Sequence, residues 1–190
     1  MATYKEIFGK QVKFLSSDPD NEAEGQIWYN STSNVFKSVL VTEAWSSGSP
    51  MSTARGFTGG FGTQDAALAL GGSSPYTNVT EEYNGSGWAA GGTLNTTRAP
   101  YGKGGTGTQT AGLAVGGYTS TAVTNSAEEY DGTSWTAVTV YPASLEGVSG
   151  AGTQTAGVLF GGALASPYPG QTTSTEYDGT NWTASPGALN

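Results

Sequence analysis

The chain carries one pattern three times at a long and nearly constant interval. Gly62-Thr63-Gln64 returns as Gly107-Thr108-Gln109 and as Gly152-Thr153-Gln154, in two steps of 45 residues. Each copy runs through a short apolar stretch to a glycine pair, Gly71-Gly72, Gly116-Gly117 and Gly161-Gly162, again in steps of 45. A Glu-Tyr pair follows, ending at Tyr83, Tyr130 and Tyr177. Five residues beyond each tyrosine stands Trp88, Trp135 or Trp182, and both landmarks advance in steps of 47. The interval between glycine pair and tyrosine therefore lengthens by two residues per copy, as a surface loop tolerates. A unit this small cannot bury an apolar face alone, so the copies must stack and share a core.

Within a copy the residues read as strands joined by turns. In Ala66-Ala67-Leu68-Ala69-Leu70, leucines fall on one face and alanines on the other. Both faces are apolar, which predicts a strand buried on both sides. The glycine pair supplies positive φ or close backbone approach where the chain turns. Tyr-Asn-Gly in the first copy and Tyr-Asp-Gly in the others predict a tight hairpin turn. A third strand then ends at the tyrosine and a fourth opens at the tryptophan. A first strand is expected near residues 52–59 and 97–104. Partial copies flank the three full ones: the stretch from Trp45 aligns with that from Trp88, and Trp182 begins it again.

Composition narrows the chemistry. Among 190 residues there is no Cys and no His. That excludes thiolate nucleophiles, disulfides and Cys-ligated metal, and it removes both the imidazole of Ser-His-Asp catalysis and the commonest transition-metal ligand. Seven basic residues against fifteen acidic ones leave a net charge of −8, which argues against nucleic acid and anionic membranes as partners. No apolar stretch approaches the ~18 residues of a membrane span, and residues 1–15 lack the apolar core of a secretion signal. Thirty glycines with 11% aromatic residues describe a folded, glycine-turned, all-β chain rather than low complexity.

The recurring polar residues read as structural. Glu81-Glu82 and Glu128-Glu129 are neighbours on a strand and point to opposite faces, so they do not converge on a substrate as glycosidase carboxylates do. Asp131 and Asp178 read as turn formers rather than calcium ligands, because Asn84 holds the same place in the first copy. Gln64, Gln109 and Gln154 are expected to bond backbone between neighbouring units. Arg55 and Arg98 have no counterpart in the third copy. Neither enzymatic activity, nor a cofactor, nor a bound metal is expected.

Four short strands per 45–47 residues, with Gly-Gly, Tyr and Trp at these places, resemble the kelch repeat over residues 45–190. The resemblance implies four-stranded antiparallel, propeller-blade-like sheets, in three full copies plus partial flanking copies. It also implies that the named tyrosines and tryptophans pack between blades. Single-chain propellers close with about four to eight blades. Either subunits pool their blades or the repeats stack without closing: two chains would close one ring, three would pack around a fibre-like axis, and the trimer is preferred over the dimer.

Residues 1–42 lie outside the repeat. Residues 1–24 read as an anchoring arm, with a strand over 7–15 and a turn cluster at 16–20. Residues 25–42 read as a hairpin with arms at 27–29 and 35–39 around a turn at 31–34; residues 43–190 hold the repeats. The stretch G-x-I-W-Y-N-S-T-x-N-x-F-K from Gly25 to Lys37 is similar to segments of fibre and other virion structural proteins of tailed phages. Together with Ser16-Ser17-Asp18-Pro19 and kelch-like repeats, it is similar to proteins of phages infecting marine bacteria. The resemblance implies a structural virion protein (a fibre, tail component or head decoration) made in the host cytoplasm and carried on the particle. Trp28, Tyr29, Asn30 and Phe36 are then the candidate anchor to other virion proteins, and host-surface glycans are the target of the variable loops. The other reading is a lectin-like propeller module outside any virus.

Overall fold

The computed structural model describes residues 13–20, 26–38 and 48–185. The chain divides into two units, Met1–Ser47 and Gly48–Asn190. All regular structure among the described residues is β. Residues 1–12 and 21–24 of the expected arm, Gly25 and Val39 of the expected hairpin, Trp45 and residues 186–190 lie outside the described residues.

In the first unit, β1 (Lys13–Leu15), β2 (Ile27–Asn30) and β3 (Val35–Ser38) form one sheet in that order. β1 runs parallel to β2, and β2 and β3 make an antiparallel hairpin around residues 31–34. The register aligns Phe14, Tyr29 and Phe36 across one face. On the other face Asp18 is a hub. Its Oδ1 accepts from Trp28 Nε1 at 3.0 Å and Asn30 Nδ2 at 2.9 Å, and its Oδ2 accepts from Lys37 Nζ at 2.5 Å. The Lys37 bond first, then Asn30 and Trp28, hold its carboxyl down at about 2. A depressed carboxylate supports the fold fully above its ordinary value of 3.8, and that support is lost as the pH falls through about 2. Carboxyl NMR titration should therefore place Asp18 near 2, and Lys37→Met should raise it. A value unchanged by Lys37→Met would remove Lys37 as the main cause.

The second unit holds three four-stranded antiparallel sheets. The first is β4 (Gly59–Thr63), β5 (Ala66–Leu70), β6 (Thr80–Tyr83) and β7 (Trp88–Ala90). The second is β8 (Gly105–Thr108), β9 (Ala111–Val115), β10 (Ala127–Tyr130) and β11 (Trp135–Ala137). The third is β12 (Ser149–Thr153), β13 (Ala156–Phe160), β14 (Ser174–Tyr177) and β15 (Trp182–Ala184). Each sheet is a meander in chain order, and the leading strands stand side by side, β4 next to β8 and β8 next to β12.

The leading strands begin later than the sequence suggests. Residues 52–58 and 97–104 are loops that make only single bridges, Gly56 with Ser73 and Ala99 with Tyr118. The true first strands are the glycine-rich runs at 59, 105 and 149. Crowding between sheets explains the glycines. A Cβ on Gly59 would lie 2.9 Å from Lys103 O, and one on Gly150 would lie 2.8 Å from Gly105 O. The turn between third and fourth strands also differs from a two-residue hairpin. It spans four residues, and the Asn84 or Asp side chain closes it: Asp131 Oδ1 accepts from Thr133 N at 2.8 Å and Ser134 N at 2.7 Å.

The core lies between sheets. Phe61, Leu68 and Leu70 of the first sheet pack with Leu94 and with Ala114, Tyr130 and Trp135 of the second. Leu113, Val115 and Ala127 of the second meet Tyr141, Leu145, Val148, Leu159 and Tyr177, with Trp182 beside them. Full burial of one such leucine contributes roughly 1.5–3 kcal/mol.

Candidate functional site at the loop end

The loops entering each leading strand and the loops between second and third strands meet at one end of the sheets, bridged at Gly56–Ser73, Ala99–Tyr118 and Glu146–Ala163. This end carries an aromatic cluster. Phe57 stacks on Tyr101 with ring centroids 4.5 Å apart, and Tyr101 meets Tyr118 edge-on at 6.3 Å. The hydroxyls of Tyr76 and Tyr101 lie 3.0 Å apart, which pushes the Tyr76 phenol up to about 12. Tyr101, Tyr118, Tyr168 and Glu146 line a pocket of about 270 Å³. Burial raises the Glu146 carboxyl above its ordinary value. Phe57 and Tyr168 remain 59% and 58% exposed.

Backbone geometry marks the same end. Five of the six non-glycine residues with positive φ among the described residues lie in these loops: Phe57 (51°), Ser74 (66°), Tyr101 (56°), Ser120 (84°) and Tyr168 (62°). An aromatic residue in this region is strained and persists only where its surroundings hold it. The cluster therefore presents flat apolar faces, phenol hydroxyls and one carboxylate at fixed positions. Such a surface stacks on the C–H faces of a ring and accepts or donates hydrogen bonds at its edge. No sequence signal marked these residues, because they fall at non-equivalent positions in the three copies.

The repeat landmarks lie elsewhere. Tyr130 and Tyr177 are buried between sheets and donate their hydroxyls to Glu82 and Glu129 of the preceding sheet at 2.5 and 2.9 Å. Burial first, then the Glu82 bond, raises the Tyr130 phenol to about 12. Trp135 donates to Thr80 Oγ1 at 3.0 Å, and Trp182 to Thr139 O at 2.8 Å. Tyr83 and Trp88 are only half-buried. Gly71 and Gly72 turn the chain at φ 58° and 133°, and Gly116, Gly117, Gly161 and Gly162 are likewise positive. A Cβ on Gly71 would lie 2.3 Å from Arg98 O. The adjacent carboxylates diverge: Glu81 and Glu128 turn inward to Arg55 and Arg98, while Glu82 and Glu129 take the tyrosines.

In the first unit the four candidate anchor residues separate. Trp28 and Asn30 are buried in the Asp18 hub. Tyr29 lies between Phe14 and Phe36 at 5.0 and 5.1 Å, and Phe36 is 63% exposed. The Phe14–Tyr29–Phe36 row shares its face with the exposed Ile27, and the exposed Val35 lies on the Asp18 face. No protein-family model matches the sequence, and no curated protein matches it.

Proposed function

We propose that the chain is a structural component of a tailed-phage particle, a kelch-like propeller-blade module whose loop end contacts host-surface glycans. The observation that carries the glycan reading is the exposed, strained aromatic cluster around Tyr101 and Glu146. Three meanders with adjacent leading strands and tyrosine–tryptophan pairs between them support the blade reading. The exposed Phe14–Tyr29–Phe36 row supports attachment of the first unit to another virion protein, which favours the particle over a free lectin. With a net charge of −8 and Glu146 in the pocket, neutral sugars fit better than acidic ones.

Titration of the full chain with neutral oligosaccharides of the host surface, followed by NMR, should perturb Tyr101 and Tyr118. Tyr101→Ala should weaken binding about tenfold or more, while Thr133→Ala at the opposite end should leave it unchanged. Shifts that ignore Tyr101→Ala would refute the platform. A chain lacking residues 1–24 should bind sugar equally and fail to join the particle.

A further inference from the structure

We propose that the open rear of the third blade docks on the open front of the first blade of a second copy of this chain, so that two copies close one ring. The contact is independent of the sugar platform and follows from how the blades already meet.

Both joints inside the chain use the same groups. Gln109 Nε2 donates to Ala67 O at 3.0 Å and Tyr83 O at 2.7 Å of the first blade. Gln154 Nε2 repeats this on Gly112 O and Tyr130 O of the second, at 3.0 and 2.9 Å. Each following tyrosine, Tyr130 or Tyr177, donates to the preceding blade's glutamate. The leading strand also presses a side chain on the next blade's second strand. Phe61 lies on Gly112, where a Cβ would sit 2.5 Å from the ring, and Thr106 lies on Gly157 at 3.2 Å.

The two open faces carry the halves of one more such joint. On the first blade's front, Gln64 is exposed and has no hydrogen-bond partner among the described residues. Tyr83 turns its hydroxyl to Gly85 O of its own turn at 3.0 Å. On the third blade's rear, a groove of about 580 Å³ is lined by Ala151, Gly157, Val158, Glu176 and Tyr177. On the first two blades the next blade's glutamine and tyrosine fill this place. Exposed Glu176 takes Ser185 Oγ at 3.1 Å where its counterparts take a tyrosine. Val158 is half-buried where Leu68 and Leu113 are buried.

Side-chain size identifies the occupant as this chain. The existing joints pair Phe61 with Gly112 and Thr106 with Gly157. The open joint would pair Ala151 with Ala67. A methyl is present at 67, unlike 112 and 157, and the residue it would face is the smallest of the three. At the outer rim Gly48 stands beside the Tyr83 hydroxyl as Gly91 stands beside that of Tyr130, so Gly48 of the second copy and Ser185 compete for one place and Ser185 moves aside on pairing. Ser185 then yields Glu176 to the incoming Tyr83. A head-to-tail contact closes when its rotation returns to the start. Two copies supply a blade number within the usual range of about four to eight, and three copies exceed it. The joint thus selects a dimer over a trimer.

Sedimentation equilibrium of the full chain at micromolar concentration should give twice 19.3 kDa. Ala151 is exposed, so Ala151→Phe should keep the monomer folded by near-UV circular dichroism and weaken pairing about tenfold or more. Adding Ala67→Gly should restore pairing by recreating the Phe61–Gly112 geometry. Gln64→Glu should also weaken it about tenfold. A monomer throughout overturns the proposal. So does an open-ended polymer, or any assembly, trimeric or dimeric, indifferent to Ala151→Phe and Gln64→Glu.

Discussion

Replacing Arg98 by leucine should lower the unfolding free energy of the repeat unit by about 3–5 kcal/mol, read from the shift of a denaturation midpoint. Arg98 is 0% exposed, and its guanidinium binds Glu128, which is equally enclosed. Burial pulls the Arg98 pKa below its ordinary value, and Glu128 pulls it back up. Glu128 also accepts from the backbone N–H of Asn95 at 2.6 Å and of Thr96 at 3.2 Å. Removing the arginine leaves that carboxylate buried without its counter-charge. The third repeat fills the same site without charge. Leu145 stands where Arg98 does and Thr175 where Glu128 does, both buried, and Tyr141 in place of Leu94 donates its hydroxyl to Thr175 at 3.2 Å. Moving that trio into the second repeat, as Leu94→Tyr/Arg98→Leu/Glu128→Thr, should return stability to within about 1 kcal/mol of the parent. A triple variant no more stable than Arg98→Leu would show that the two sites are not equivalent.

This exchange was legible in the sequence only in part. The loss of arginine after Arg98 is plain, and so is Thr175 in place of a glutamate, but nothing in one chain says that the two positions touch. The glycine pairs, tyrosines and tryptophans were legible because each copy needs them at the same joint. The leading strands were not. Their glycines carry no strand propensity, and neighbouring sheets rather than local preference hold them extended. The aromatic cluster was hidden for the opposite reason: Phe57, Tyr101 and Tyr168 come from loops of unequal length, so no period marks them. In the first unit Trp28, Tyr29, Asn30 and Phe36 read as one anchor, because the Asp18 hub that draws Trp28 and Asn30 inward depends on a contact ten residues away.

Trp135→Ala should cost about 3–5 kcal/mol, whereas Trp88→Ala at the corresponding place should cost only about 1–2 kcal/mol in the monomer. Trp135 is 6% exposed. It belongs to the buried cluster that holds Phe61, Leu68, Leu70 and Leu94, lies 4.8 Å from Tyr130 ring to ring, and donates to Thr80 across the joint. Truncation removes those contacts and leaves a cavity that two rigid sheets cannot collapse to fill. Trp88 meets Tyr83 at 5.1 Å but remains half-exposed, with no preceding sheet among the described residues to cover it. The difference between the two variants therefore measures what a joint contributes, with the side chain held constant. It also depends on concentration. If a second copy covers the first four-stranded sheet, Trp88 gains the surroundings that Trp135 already has, and its truncation becomes costlier as pairing adds to the stability of the folded state. Denaturation midpoints of both variants, followed from dilute to concentrated protein, should converge. Midpoints that stay equally far apart at every concentration would mean that the front of the first four-stranded sheet is never covered by a second copy.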